Sequence, residues 1–215
     1  MTAPDDQVIR GDPFEPAQPE RPTLRRLVLA SASPRRAALM REHGIAVEII
    51  EPPVEEPSDL SHAVTVYDRA RALSHFKAQA VAEIARDAWI IAGDTIAALD
   101  GCVFGKPADR ADAKHILNRL AGTTHEVITG VTLLDAVTGT RQIEHDVTRV
   151  TMKALSDDEI EAYLDTGAWE GKAGAYGIQD KGDAFVTRIE GSFSNVVGFP
   201  MELISAMLAR WHKQV

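Results

Sequence analysis

The sequence has little cysteine, no excess of positive charge and no long apolar run, and each shortage excludes a class of protein. The 215 residues include a single cysteine, Cys102, which excludes an intramolecular disulfide framework and a zinc site built from cysteines. The chain has 23 Lys and Arg against 32 Asp and Glu, a formal net charge of −9. This balance argues against nucleic-acid partners, because general nucleic-acid binding relies on a broad basic surface.

Membrane and secretory segments are also missing. No apolar stretch approaches the roughly 20 residues that a helix needs to cross a bilayer. The first residues, MTAPDDQVIRGDPFEP, have neither the basic region nor the apolar stretch of a secretory signal. We therefore expect a soluble cytoplasmic protein with no membrane partner.

The length and composition suit one folded domain preceded by a tail. Residues 1–23 hold five of the 11 prolines and few apolar side chains. Such a segment cannot bury enough surface to offset the entropy lost on ordering. We expect a disordered, proline-rich acidic tail over residues 1–23 and a single domain over residues 24–215.

Short apolar runs alternate with amphipathic ones after the tail. The patterns predict strands over Leu27–Ala30, Ile45–Ile50, Trp89–Ala92, Ile96–Leu99, Glu126–Leu134, Gln142–Met152 and Ala184–Ile189. They predict helices from Pro34 to about His43, His62 to about Arg86, Asp109 to Leu120, Ser156 to about Leu164, and from Pro200 onward. The predicted fold class is α/β, a single domain with a mixed, twisted β-sheet flanked by helices.

Two arginines fall in the first turn of the first predicted helix, in the segment Ser31-Ala32-Ser33-Pro34-Arg35-Arg36. Ser33 can cap this helix, and Pro34 suits its first position. The partial positive charge of a helix N-terminus disfavours arginine there. A bound phosphate would resolve the conflict, because backbone N–H groups and guanidinium groups both bind it; two solvated arginines are the alternative.

An acidic residue follows the hydrophobic run Trp89–Ala92, in Gly93-Asp94-Thr95. An acid at the carboxyl end of a strand is typical of metal binding or water activation in an open α/β sheet, although a turn-capping aspartate has the same pattern. Lys106 can return to this edge as a phosphate-binding cation, and Glu55 or Glu56 can add a second carboxylate. Magnesium bound through one or two carboxylates and substrate phosphates needs no further protein ligand.

The stretch Gly171–Gly182 reads GKAGAYGIQDKG, with four glycines in twelve residues. This density predicts unusual backbone angles or close contact with a ligand. Gln179 within it carries both a donor and an acceptor, so its side chain can recognise the edge of a base.

Taken together and in order, these motifs resemble the Maf family. The resemblance runs from about Leu24 to Arg210 and rests on LVLASASPRRAALM, Val54-Glu55-Glu56, Lys77-Ala78, Gly93-Asp94-Thr95, Gly105-Lys106-Pro107, His125-Glu126-Val127, Thr129-Gly130-Val131, KAGAYGIQDKG and GSFSNVVGFP. Maf proteins are nucleoside triphosphate pyrophosphatases, historically called septum-formation inhibitors. The resemblance implies cleavage of a nucleoside triphosphate between its α and β phosphates, with a divalent metal, Mg²⁺ or Mn²⁺, as cofactor.

The resemblance also implies roles for single residues. Asp94 matches the acid that activates water or holds the metal, and Glu56 matches a loop carboxylate with the same two roles. Lys106 is the third expected catalytic residue. The expected substrate-binding residues are Ser33, Arg35, Arg36, Lys77, Thr95 and Gln179. One departure is Ala92-Gly93-Asp94, where the family more often has Gly-Ala-Asp, a swap that can alter the local backbone.

The segment AGAYGIQ resembles the branch of the family that acts on dTTP and UTP. We therefore expect hydrolysis of these and of modified pyrimidine triphosphates, by a homodimer as the resemblance implies. The alternatives are a pyrophosphatase of 7-methyl-GTP or of broad specificity, and a non-catalytic nucleotide-binding regulator of cell division. A regulator would keep the cations but would need no acid at position 94.

Overall fold

A computed structural model of the chain describes residues 25–54, 57, 64–179, 184–211 and 213. The tail predicted over residues 1–23 lies outside the described residues. So does Glu56, the second expected catalytic and metal-binding carboxylate.

The described residues form one mixed sheet with helices on both faces. The strands are β1 (Leu27–Ala30), β2 (Glu48–Ile50), β3 (Trp89–Leu99), β4 (Cys102–Phe104), β5 (Thr124–Asp135), β6 (Arg141–Met152) and β7 (Val186–Glu190). The helices are α1 (Pro34–Glu42), α2 (Val66–Ala82), α3 (Arg110–Leu120), α4 (Asp157–Leu164), α5 (Phe193–Val197) and α6 (Met201–Trp211). The strand order is β2-β1-β3-β5-β6-β7, with β4 beside β3. Strand β1 runs parallel to β2 and β3, and the other pairs are antiparallel, which confirms the predicted fold class.

The two faces of the sheet pack against different helices. On one face Ala78 of α2 is buried in a cluster with Ile90 of β3, and on the other face Met40 of α1 is buried with Ile91. Neighbouring residues of a strand point to opposite faces, so alternate side chains of β3 meet α2 or the α1 side. Within the described part of the chain, no helix has both the length and the apolar character needed to cross a membrane.

Helix α2 lies very close to β5 at Gly130. A Cβ atom added to this glycine would lie 2.1 Å from the carbonyl oxygen of Ala70, so any side chain here would push the helix away. Gly130 is the register partner of Asp94 across the β3–β5 pair. The glycine therefore allows α2 to approach the sheet beside the expected catalytic acid.

Several predicted boundaries are wrong, and in β2 and α2 they differ by three residues or more. Strand β2 begins at Glu48 instead of Ile45, and α2 runs from Val66 to Ala82 instead of from His62 to about Arg86. Thr65 stops α2 from starting earlier, because its hydroxyl accepts a hydrogen bond from the backbone N–H of Asp68 (3.1 Å) and the Asp68 carboxylate accepts one from the N–H of Thr65 (3.1 Å). This reciprocal cap marks a helix start, with aspartate in the place that glutamate or glutamine usually takes.

Strand β3 is continuous, so the prediction that Asp94 follows the end of a strand is wrong. Strand β3 pairs with β5 along almost the whole length of β3. This pairing continues β3 past the end of β1. On the other side, β1 pairs with Trp89–Ala92 and β4 pairs with Ala97–Leu99. Among the strands that the structure describes, residues 93–96 thus have a partner only on the β5 side, and a gap opens in the sheet beside Asp94.

Candidate active site

A cavity of about 520 Å³ opens at this gap. Its walls come from the β1–α1 junction, α2, β3, the segment after β4, residues 170–179 and the end of α5. The predicted site residues that line it are Ser33, Arg35, Arg36, Lys77, Asp94, Thr95, Lys106 and Gln179. The fold therefore brings together every predicted site residue that the structure describes.

Asp94 lies on the face of β3 that packs against α2, in a row with the apolar side chains of Ala92 and Ile96. It is 5% exposed, and its Oδ1 atom forms an ion pair with the Nζ atom of Lys77 from α2. The Lys77 side chain is 12% exposed. Because both groups are largely shielded from water, their attraction is stronger than that of a surface pair.

Thr95 points to the opposite face, where it contacts Arg36. The Nη2 atom of Arg36 donates to Thr95 Oγ1 (3.0 Å), its Nε donates to the carbonyl of Gly198 (2.9 Å), and its Nη1 donates to Ser31 Oγ (3.3 Å). Thr95 Oγ1 also lies 2.9 Å from Thr129 Oγ1. Gly198 follows helix α5, and the carbonyls of a helix C-terminus carry partial negative charge.

Arg36 therefore shows that a bound anion is not needed to stabilise an arginine in the first turn of α1. Its guanidinium group is half-buried, is held by protein oxygens, and lies 5.9 Å from the centre of the Phe199 ring. Arg35 is different, because the contact described for its guanidinium group is one hydrogen bond to the carbonyl of Gly171 (3.2 Å) at the rim of the cavity. Arg35 can exchange that single contact for a phosphate more easily than Arg36 can.

Ser33 occupies the N-cap position of α1, and Pro34 is the first residue of the helix, as predicted. The Ser33 side chain makes no capping hydrogen bond, however. The backbone N–H of Ser33 instead donates to Ser31 Oγ (3.1 Å), which fixes the turn between β1 and α1.

The glycine-rich segment has the unusual backbone angles that its composition predicts. Residues 173–175 form a single 3₁₀ turn, in which φ is 74° at Gly174 and 61° at Ala175. The N–H of Gly174 donates to the carbonyl of Gly105 (3.1 Å), so this segment is joined to the loop that carries Lys106. Lys106 and Gln179 are both exposed residues of the cavity wall.

Further residues line the cavity that were not among the predicted site residues, and three of them carry polar groups of interest: Glu51, Lys172 and Tyr176. Glu51 directly follows β2, and the rule that carboxyl ends of parallel strands meet at one edge of a sheet would have located it. Lys172 and Tyr176 both belong to the glycine-rich segment. Tyr176 is 5% exposed and bonds to the buried His125 (Tyr176 Oη to His125 Nε2, 2.7 Å).

Positive charge predominates among the described residues of the cavity. Of these, the basic ones that line it are Arg35, Arg36, Lys77, Lys106 and Lys172, and the acidic ones are Glu51, Asp94 and Glu170. The cavity is thus locally cationic within a chain of net charge −9. A small anion of several charges is the ligand class that this arrangement favours.

Comparison with known proteins agrees with this geometry. A family model described as Maf-like protein matches residues 26–211. The chain is 42% identical over 190 residues to a dTTP/UTP pyrophosphatase of Pelotomaculum thermopropionicum, covering 87% of this chain and 97% of that protein. Identity to the dTTP/UTP pyrophosphatase of Alkaliphilus metalliredigens is 43% over 180 residues (83% and 92% covered), and to that of Bdellovibrio bacteriovorus 40% over 190 residues (86% and 98% covered). The match extends from β1 to the end of α6, and the chain belongs to the Maf family.

Proposed function

We propose that the protein hydrolyses pyrimidine nucleoside triphosphates, including dTTP, UTP and modified pyrimidine triphosphates, to the monophosphate and pyrophosphate. The observation that carries the proposal is the cavity of about 520 Å³, which is lined by a nearly buried carboxylate, Asp94, and by the basic side chains of Arg35, Lys77 and Lys106. The names of the relatives, dTTP/UTP pyrophosphatase, support it.

The cations match the charge of the substrate and of the leaving group. Cleavage of the α–β anhydride leaves pyrophosphate with more negative charge than it had as part of the triphosphate. Fixed cations aimed at charge that develops in the transition state are usually the largest contribution to such catalysis. Lys106 and Arg35, at the rim, are placed to bind the terminal phosphates.

Asp94 acts as general base on the attacking water. In the structure its carboxylate is engaged by Lys77. When phosphate oxygens accept hydrogen bonds from Lys77, the carboxylate can accept one from water, orient that water, and take its proton as the anhydride is cleaved. No covalent intermediate with a side chain is needed.

A divalent metal, Mg²⁺ or Mn²⁺, fits this site if the substrate supplies part of its ligands. The described residues include no group of three or more His, Cys, Asp or Glu that could hold a metal ion. Magnesium is, however, commonly held by one or two carboxylates together with substrate phosphates. Asp94 and Glu56 would hold it here, and when bound it would polarise the phosphoryl oxygens and neutralise their charge.

The test is turnover of a nucleotide panel, measured as phosphate release after coupling to an inorganic pyrophosphatase, with Mg²⁺ or Mn²⁺. We expect the highest kcat/KM for dTTP and UTP, and a loss of kcat of about 10² to 10⁴ in Asp94→Asn, which keeps the shape of the side chain but removes the base. No turnover of any triphosphate by the folded protein would contradict the proposal. A higher kcat/KM for 7-methyl-GTP, or equal values for all bases, would contradict the pyrimidine preference.

The same preparation tests two further expectations. A regulator that binds nucleotides without cleaving them would bind dTTP or UTP and release no pyrophosphate. The homodimer that the family resemblance implies would elute with twice the mass of one chain in size-exclusion chromatography with light scattering, and elution at the mass of one chain would contradict it.

A further inference from the structure

A histidine buried behind the cavity wall contacts a tyrosine of that wall. His125 of β5 is 1% exposed, and Tyr176 of the glycine-rich segment is 5% exposed. His125 Nε2 lies 2.7 Å from Tyr176 Oη, and the two rings meet edge to face, with centroids 5.5 Å apart and planes at 87°. The contact joins the central sheet to a segment 51 residues further along the chain.

The segment around Tyr176 needs such an anchor, because its backbone is held in unusual conformations. Gly174 and Ala175 both have positive φ angles, which cost free energy at a residue other than glycine. A Cβ atom added to Gly174 would lie 3.1 Å from the Cβ atom of Ala97 and 3.2 Å from the Tyr176 ring. The turn therefore lies tightly between β3 and this ring.

Burying a histidine at this position costs more free energy than burying an apolar side chain would. Burial lowers the pKa of its imidazole to about 4 and raises the pKa of the Tyr176 hydroxyl, so both groups are uncharged at neutral pH. The other ring nitrogen, Nδ1, is buried and has no hydrogen-bond partner among the described residues. A buried polar group with an unpaired atom costs free energy that an apolar side chain would avoid. The one hydrogen bond described for the His125 side chain, to Tyr176, offsets part of this free energy.

Gln179 lies three residues after Tyr176, and the buried side chain of Ile178 lies between them. The bond to His125 thus fixes Tyr176 three residues before the exposed Gln179, and both residues line the same cavity. Building on the proposed function, we propose that His125 is a positioning residue: by holding Tyr176 Oη, it sets the cavity wall that carries Gln179 and so the selection of the base.

The test removes the hydrogen bond from each side and measures selectivity. The variants are Tyr176→Phe, His125→Phe, the double variant, and His125→Gln as the conservative replacement that can still bond to the tyrosine hydroxyl. For each, kcat and KM are measured with UTP and with CTP. We expect KM for UTP to rise about tenfold in both single variants, with kcat changed less than twofold and the preference for UTP over CTP reduced by a similar factor.

Two comparisons separate positioning from simple loss of stability. The double variant should be no worse than either single variant, because both remove the same bond, and His125→Gln should regain part of the selectivity. Tyr163→Phe is a matched control, since Tyr163 is also buried but packs on Phe185 and does not line the cavity; it should keep the wild-type selectivity. Thermal melting of every variant verifies that it is folded.

The outcomes are distinguishable from failure of the proposed function. A wild-type protein that neither cleaves UTP nor binds its non-hydrolysable α,β-methylene analogue in calorimetry overturns both proposals. An active wild type whose Tyr176→Phe and His125→Phe variants keep its KM and its selectivity overturns the positioning role alone. So does a fall in kcat with an unchanged preference for UTP, or additive losses in the double variant.

Discussion

Lys77 and Asp94 form a charge pair that must rearrange in the proposed mechanism. Both side chains are largely buried, and they come from different elements, α2 and β3. A buried carboxylate that loses its positive partner is strongly destabilised, because neither water nor another charge replaces the lost attraction. The pair thus stabilises the fold before substrate binds, and in the proposed mechanism Asp94 becomes the base once substrate has bound.

Replacing Lys77 with methionine should therefore reduce both stability and activity. We expect the free energy of unfolding to fall by about 3 kcal/mol and kcat/KM for UTP to fall by at least 10², because a phosphate ligand is lost as well. Urea denaturation and steady-state kinetics measure the two effects. Lys114→Met is the control, since its pair with Glu161 is more than one-third exposed on both sides and should change stability by less than about 1 kcal/mol. Equal losses in the two variants would contradict a special role for Lys77.

Gln179 gives a prediction about specificity instead of rate. Its side chain is exposed at the cavity wall and can pair a donor and an acceptor with a uracil or thymine edge. Gln179→Ala should lower kcat/KM for UTP about tenfold and lower the value for CTP less, so the ratio of the two falls. An unchanged ranking across the nucleotide panel would mean that another residue selects the base.

At the scale of single residues, short motifs in the sequence were enough to name many of the polar residues that line the cavity. Arg35, Asp94 and Lys106 stand in contiguous segments whose residue types already favour phosphate and water chemistry. The partner of Arg36 could not be predicted from the sequence, since the Gly198 carbonyl that binds it lies 162 residues further along the chain. The same limit applies to Tyr176, whose bond to His125 depends on how the two segments pack.

At the scale of elements, the site depends on a strand longer than its own sequence indicates. The glycine and aspartate after Ala92 are poor strand formers, so local patterns predict an end there. Pairing with β5 overrides that preference and continues β3 through Asp94, while β1 stops. The gap beside Asp94 therefore depends on how the strands pair, and the ends of the parallel strands β1 and β2 border it on the other side.

The close approach of α2 to the sheet gives a prediction for Gly130. An alanine there would place its Cβ atom 2.1 Å from the Ala70 carbonyl oxygen, which is backbone, so α2 must move outward and take Lys77 away from Asp94. We expect Gly130→Ala to lower the free energy of unfolding by about 1 to 3 kcal/mol and to lower kcat. Gly105→Ala is the control for stability, because no atom lies within 4 Å of an added Cβ at that position. Equal stability of the two variants in urea would contradict the close packing.

At the scale of the whole molecule, net charge and site charge have opposite signs. The formal charge of −9 predicts that long polyanions are unsuitable ligands, yet among the described residues five basic and three acidic side chains line the cavity. Overall charge is an average over the surface, whereas binding depends on the local field. A small, highly charged anion such as a nucleoside triphosphate is compatible with both the negative net charge of the chain and the positive charge of the cavity.

Stability of the whole chain should depend on pH through the buried histidine. Burial holds the pKa of His125 at about 4 in the folded protein, against 6.5 for an unperturbed side chain. Between pH 6.5 and pH 4, His125 therefore binds a proton in the unfolded chain but not in the folded one, and this difference favours unfolding. The contribution of His125 to stability is complete above pH 6.5, falls between pH 6.5 and 4, and falls no further below pH 4.

The predicted loss between pH 7.5 and pH 5 is about 2 kcal/mol, from 1.36 kcal/mol for each pKa unit. Urea denaturation at the two pH values measures it in the wild type and in His125→Phe. Other histidines with lowered pKa values, His75 and His145, contribute equally to both proteins, so the difference between them isolates His125. A variant that loses as much stability as the wild type over this range would show that His125 is protonated in the folded state, and the neutral hydrogen bond to Tyr176 would then be excluded at pH 5.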